Sequence, residues 1–176
     1  MIDAIFIIGP SGVGKSHISE LLTKQQQCLF MDIDIHHPFG HYGLRKEWNS
    51  FERKLDPLPL ASTLLDRINA ANAARVLFSF PSRRVLTRKH IDAARTVGIR
   101  TILLWGSRDY CKKAAFGRPD GRVTSGSRYD DANKLAFDTY GSPEFDAIRT
   151  EVFRADGSRW ADEHLLASIA PLIDAE

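Results

Sequence analysis

Two groups of residues have the types and the spacing to handle a phosphorylated ligand. The first is Gly9-Pro10-Ser11-Gly12-Val13-Gly14-Lys15-Ser16, which fits G-x-x-x-x-G-K-[ST] at every fixed position. Glycines in such a loop let backbone N–H groups turn inward around an anion. A helix that starts at the loop adds the positive end of its dipole. Lys15 is then placed for β- and γ-phosphates and the Ser16 hydroxyl for Mg²⁺. The second group is Asp32 and Asp34. In an extended segment they point the same way, with Ile33 between them facing the other. Two carboxylates near a metal-bound nucleotide suit two roles. Asp32, nearer the strand end, is assigned to Mg²⁺ through water. Asp34, nearer the loop that starts at His36, is assigned to orienting an acceptor hydroxyl and taking its proton. The competing readings are a chance glycine turn for the first group and a helix-capping acidic strand end for the second.

The flanks favour the chemical reading. Ala4-Ile5-Phe6-Ile7-Ile8 is a short apolar run with the character of a buried strand, and Ile18, Leu21 and Leu22 share one face of a helix over 17–24. Further strands are expected at 29–31, 75–80, 100–105 and 151–154. Helices are expected at 45–54, 60–73 (with Leu64, Leu65 and Ile68 apolar), 87–97, 109–116, 130–140 and 162–173, with Gly98 as a helix stop and Ser107 as a cap. Residues 117–129 are polar, Gly- and Arg-rich and without apolar period, so they read as a mobile loop. Strands alternating with helices predict an α/β three-layer sandwich with a five-stranded parallel sheet and right-handed crossovers, a single domain over 1–176. Ligands in such sheets sit at the carboxyl ends of the strands, where 9–16, 32–38, 81–84 and 106–122 would converge.

The composition sets bounds. The 176 residues suit one domain with a sizeable core. A net charge of +2 is too small to argue for nucleic acid as a partner. Two cysteines, Cys28 and Cys111, fit reduced thiols of a cytoplasmic protein better than a disulfide. The longest apolar run, 4–8, is far short of a membrane span, and no targeting peptide is expected ahead of it.

With the phosphate loop, then D-x-D at Asp32 and Asp34, then an Arg-containing loop after the fourth strand, the chain resembles the P-loop small-molecule kinases of the shikimate kinase and gluconate kinase type. Asp32-x-Asp34-x-x-His37-Pro38 is similar to the D-x-D-x-x-H-P of gluconate kinases. Two features depart from these families. The third strand ends Phe78-Ser79-Phe80-Pro81-Ser82, without the Gly-Gly-Gly turn of shikimate kinases or the Asp of many phosphate-loop NTPases, and the G-x-P-L-x-D-x-D-R stretch of gluconate kinases is missing after His37. The resemblance implies ATP and Mg²⁺ as cofactors and 117–129 as a lid. Arg118 and Arg122 are its foremost candidates to close over the transferring phosphoryl group, because a guanidinium fork holds two phosphate oxygens at once; Arg108 and Arg128 rank behind them. It also implies an acceptor-binding region over 35–60, and adenine contacts from Asp156, Gly157 and Ser158.

Other residues divide between function and structure. Arg45, Arg53 and Lys54, with Trp48, would make a basic helix beside an anionic acceptor, or a solvated face with Trp48 in the core. Arg83 and Arg84 point the same way. His36, His37 and His41 lack a fourth ligand and a regular spacing for zinc, so His37 is read as a substrate contact or a packing residue. The resulting expectation is transfer of the γ-phosphoryl group of ATP to a hydroxyl of a small polar, anionic acceptor. The alternatives are a nucleotide or nucleoside kinase and a non-kinase nucleotide-binding switch. A switch of the GTPase kind should carry N-K-x-D and D-x-x-G, which are missing here. A polynucleotide kinase should carry a basic aromatic stripe.

Overall fold

The computed structural model describes residues 2–25, 27–32, 43–118 and 125–174. Asp34, His36, His37, His41 and Arg122 lie outside these residues. The elements in chain order are β1 (Ala4–Ile8), α1 (Lys15–Gln25), β2 (Cys28–Asp32), α2 (Arg45–Lys54), α3 (Leu58–Ala70), β3 (Arg75–Ser79), α4 (Arg88–Arg95), β4 (Ile99–Trp105), α5 (Arg108–Phe116), α6 (Gly126–Tyr140), a 3₁₀ turn (Pro143–Ile148), β5 (Arg149–Glu151) and α7 (Asp162–Asp174).

The five strands form one sheet in the order β2-β3-β1-β4-β5, and every pairing is parallel. Alternation along β1 divides the core. Ala4, Phe6 and Ile8 pack against α2, α3, α4 and α6, while Ile5 and Ile7 pack against α1, α5 and α7. β1 is buried along its whole length, as a central parallel strand covered on both faces must be. On the first side Phe6, Trp48, Phe51 and Phe80 form an aromatic cluster; Phe6 and Phe80 meet edge-to-face at 5.0 Å and Trp48 and Phe80 lie 5.2 Å apart. Among the described residues no helix is long and apolar enough to cross a membrane.

Three expected boundaries move, each for a local reason. α3 starts at Leu58, because Pro57 and Pro59 fall at its start, where the missing N–H costs nothing; its Leu65 is 46% exposed and faces solvent. α6 starts at Gly126, so 126–129 is helix and not loop, capped by the Ser125 hydroxyl accepting from the Arg128 N–H. β5 is Arg149–Glu151. The apolar Val152 and Phe153 that attracted the expected assignment come after it, and Phe153 bridges antiparallel to Arg159. The Gly98 stop, with its φ of +89°, and the Ser107 cap are as expected.

Candidate functional site

β1 delivers the chain into the loop Gly9–Ser16 at the carboxyl edge of the sheet, and α1 begins at Lys15. Backbone approach explains the first glycines. A Cβ at Gly9 would stand 2.2 Å from the Leu104 carbonyl oxygen, and one at Gly12 would stand 2.0 Å from that of Cys111. Both residues also have positive φ, +141° and +88°. The loop is thus seated on β4 and on α5. Cys111 beneath it has its thiol pushed up to about 12 by burial, so it is a packing group and not a nucleophile.

Lys15 folds back across the loop, its ammonium donating to the carbonyl oxygens of Gly9 and Pro10, each at 2.9 Å. The Ser16 hydroxyl donates to Asp32 Oδ2 at 3.2 Å, which joins the start of α1 to the end of β2. The pair brings two hard oxygens together at the loop, the donor chemistry that would suit Mg²⁺, with Ser16 as a ligand and Asp32 acting through water. Ser79, buried at the end of β3, pairs in register with Asp32 and supplies a hydroxyl where an acidic residue could stand. Among the described residues no group of three or more His, Cys, Asp or Glu could hold a metal.

Three further residues bear on the loop and were not anticipated. Asn133 on α6, 1% exposed, accepts the Ser11 N–H at 2.7 Å and donates to the Tyr129 carbonyl at 2.8 Å. The Tyr129 hydroxyl donates to the Ser11 carbonyl at 2.8 Å. α6 therefore grips both backbone groups of the loop tip. The available signal was a lone Asn within the apolar stripe Tyr129, Ala136, Phe137 and Tyr140. The third residue is Arg159, next to the expected adenine turn. Its guanidinium lies 3.2 to 3.3 Å from where a Cβ on Gly14 would stand, so glycine there makes room for it. Its Nε and Nη2 are buried and have no hydrogen-bond partner among the described residues, and burial lowers its pKa. Asp162, which acts against that lowering, also bonds His17 at 2.9 Å.

The expected lid is braced at its two ends, with Lys112 on α5 bonded to Asp130 on α6 at 2.7 Å. Arg118 is half-buried just past α5, and its charge reaches the Tyr129 phenol. Burial, then Cys111 and Asp130, raise that phenol above its ordinary range, while Arg118 and Arg108 draw it back. Arg108 lies over the Phe137 ring at 5.2 Å, and Arg128 is exposed on the first turn of α6. Ser158 is taken up locally. Its N–H and hydroxyl both donate to Asp156 Oδ1, at 2.8 and 2.6 Å, which holds the Asp156 carboxyl below its ordinary range. The turn is pinned to α5 by the Tyr110 hydroxyl, which donates to the Ala155 carbonyl at 2.8 Å.

Of the basic candidates near α2, Arg45, Arg53, Lys54 and Arg83 are exposed, while Arg84 pairs with Glu52 at 3.3 Å. Trp48 is 2% exposed and belongs to the core, which settles it as packing.

No family model and no curated protein matches the sequence. The fold is similar to those of solved structures. A sugar kinase from Janibacter sp. HTCC2649, unliganded, superposes with a TM-score of 0.61 at 16% identity, over 99% of this chain and 95% of that one. A gluconokinase from Sinorhizobium meliloti 1021 gives 0.55 at 18% identity, over 97% and 93%. A shikimate kinase from Acinetobacter baumannii in complex with shikimate gives 0.52 at 17% identity, over 98% and 93%. The chain thus has the fold of the P-loop kinases.

Proposed function

We propose that the protein is an ATP- and Mg²⁺-dependent phosphotransferase that moves the γ-phosphoryl group of ATP to a hydroxyl of a small polar, anionic metabolite. The observation that carries this reading is the contact of 3.2 Å between the Ser16 hydroxyl and Asp32 Oδ2 beside a glycine loop that also positions Lys15. A carboxylate aligned with the loop serine suits a metal-bound nucleotide, and the missing N-K-x-D and D-x-x-G disfavour a GTPase-type switch. The fold likeness to a sugar kinase, a gluconokinase and a shikimate kinase supports the same class.

In this reading Gly9, Pro10, Ser11, Gly12, Val13, Gly14, Lys15 and Ser16 wrap the phosphates, and Lys15 exchanges its loop carbonyls for phosphate oxygens. Ser16 and Asp32 hold Mg²⁺, which when bound neutralises charge on the phosphates. Asp34 orients the acceptor hydroxyl and takes its proton, while Arg118 and Arg122 come in from the lid. Ser158, with Asp156 and Gly157, borders the base. Arg159 adds a desolvated cation beside the loop, where an unscreened charge acts most strongly on an anion. The acceptor region spans 35–60, and the exposed cations Arg45, Arg53, Lys54 and Arg83 favour an anionic acceptor. The whole chain, 1–176, acts as one domain in the cytoplasm, in keeping with two unbridged cysteines.

The test is an ADP-release screen over sugar acids, shikimate-like alcohols, nucleosides and nucleotides. Acceptor-dependent release with a sugar acid or a shikimate-like alcohol is the expected result. A response confined to nucleosides or nucleotides would move the protein to the nucleotide kinases, and a flat response to all four classes would refute the phosphotransferase reading.

A further inference from the structure

A cavity lies at the opposite end of the sheet from the phosphate loop. It has a volume of 710 Å³ and is formed where β1 and β4 begin, between α4, the 3₁₀ turn and the end of α7. It exists because β5 is short. β5 pairs only with Leu103–Trp105, so no strand among the described residues covers Ile99–Ile102 on that edge. The walls are largely aliphatic, with Ile2, Ile91, Ile99, Ile148 and Leu172 among them.

The polar groups in these walls are under-used. Thr101 is 6% exposed and lines the cavity, and its hydroxyl has no hydrogen-bond partner among the described residues. A buried hydroxyl left without a partner is costly, and a ligand that bonds it recovers that cost. Three guanidiniums, Arg88, Arg95 and Arg100, face two carboxylates, Asp3 and Asp92. Arg88 is taken up by Asp92 at 3.0 Å and by the Glu144 carbonyl at 3.0 Å. Asp3 is shared between Arg100 and Arg75, the latter at 3.0 Å, and Nε of Arg100 is buried without a partner. Arg95 has no ion pair among the described residues. The balance is therefore positive, in a pocket of the size and apolar character that small ligands occupy.

We infer that this cavity is a second ligand site, separate from the phosphate loop, for a small amphipathic anion: a carboxylate carried on an apolar body. The aliphatic walls take the body, Arg95 and the free edge of Arg100 take the carboxylate, and Thr101 donates to it. A charged-group hydrogen bond to a guanidinium is among the stronger ones available at a surface. The inference does not rest on the kinase reading, and its test uses no nucleotide.

The experiment is a titration of the full chain, methyl-labelled at isoleucine, with octanoate, followed by ¹H–¹³C NMR. Octan-1-ol and inorganic phosphate serve as separate arms. Ile91, Ile99 and Ile148 should shift saturably with a Kd of about 1 mM or tighter, while Ile18 and Ile169, packed on the other side of the sheet near α1 and α7, stay in place. Arg95→Ala removes an exposed side chain that has no ion pair among the described residues and should weaken octanoate by roughly tenfold. Thr101→Val keeps the shape, should leave the fold at least as stable and should weaken binding several-fold. Octan-1-ol should bind roughly tenfold more weakly than octanoate, and Lys15→Ala should bind octanoate like the wild type. Absence of saturable shifts at the cavity isoleucines would overturn the inference. So would unchanged octanoate affinity in both cavity variants, or equal shifts from inorganic phosphate.

Discussion

Asn133→Ala tests whether the phosphate loop is held from outside. The side chain makes two short hydrogen bonds, 2.7 Å from the Ser11 N–H and 2.8 Å to the Tyr129 carbonyl, and is 1% exposed. Each bond contributes about 1 kcal/mol net, and a donor left without a partner in a buried setting costs about 1–3 kcal/mol. Ser11 is only part-buried, so water can relieve some of its loss, and the sum is about 3 kcal/mol. For a chain of this length that lowers Tm by roughly 6–12 °C. The assay is urea unfolding of wild type and variant, with binding of a non-hydrolysable ATP analogue measured at a temperature where both are folded. Binding should weaken as well, since the loop tip must then be ordered by the ligand. Tyr129→Phe, which removes only the bond to the Ser11 carbonyl, should cost about 1 kcal/mol. The double variant should be non-additive, because both residues hold the backbone of Ser11 and Asn133 also bonds the Tyr129 carbonyl. A loss below about 0.5 kcal/mol for Asn133→Ala, the size of an ordinary surface change, together with unchanged analogue binding, would refute the clamp.

Four other outcomes follow from the site. Lys15→Ala should abolish turnover with ATP while leaving the unfolding midpoint near that of the wild type; wild-type turnover in this variant would sink the kinase reading. Asp32→Asn should raise the Mg²⁺ requirement, whereas Asp34→Asn should cut kcat by roughly a hundredfold or more with ATP binding little changed; Mg²⁺ titration of both variants separates the roles, and the reverse pattern would exchange them. Arg118→Ala and Arg122→Ala should lower kcat more than they raise the nucleotide KM, and hydrogen exchange over 117–125 should slow when an ATP analogue binds; equal exchange would count against a lid. Cys111 should resist iodoacetamide at pH 8. Its thiol is raised from 9.0 to about 12, so the folded state keeps a proton that the unfolded state gives up. Its contribution to stability is complete below pH 9 and is lost as pH rises from there towards 12, and Cys111→Ala should flatten the fall between pH 9 and 10, before tyrosines intervene.

The parts of the site that could be read from the chain are those whose partners are near in sequence or dictated by topology. Gly9, Gly12 and Gly14 sit where positive φ is needed, within a strand-loop-helix unit that is contiguous in sequence. Asp32 could be placed because a parallel strand beside β3 must end at the same edge as β1, and its bond to Ser16 spans only sixteen residues. Asn133 and Tyr129 lie 122 and 118 residues from Ser11, and nothing in the loop motif asks for them. Arg159 was hidden for a different reason. It follows a turn whose Asp156, Gly157 and Ser158 draw attention as turn formers, and its orientation depends on the antiparallel bridge to Phe153. The same bridge explains the displaced β5. Local apolarity at Val152 and Phe153 signals burial, but pairing with β4 is carried by the more polar Arg149-Thr150-Glu151, of which only Thr150 is buried.

These long-range contacts change what the loop motif means in this chain. The glycine loop is anchored to β1 and α1, yet its conformation depends on the second half of the molecule: the Leu104 carbonyl under Gly9, Cys111 under Gly12, Asn133 and Tyr129 on Ser11, and Arg159 over Gly14. Ser11 has its N–H committed to Asn133, so the N–H groups available to an anion are those further along the loop, where α1 begins and the helix dipole acts. Lys15 meanwhile spends donors on the loop's own carbonyls, and Arg159 keeps two buried nitrogens without partners among the described residues. The cradle therefore gathers positive charge and, on Arg159, donors that no group among the described residues satisfies. A phosphate chain is the ligand that answers both, and the rigid grip of α6 means that little of the binding energy has to be spent on ordering the loop. α6 begins at Gly126 and is tied to α5 by Lys112 and Asp130, so in the proposed kinase reading a closure of 117–125 on nucleotide would act on the same helix that fixes Ser11.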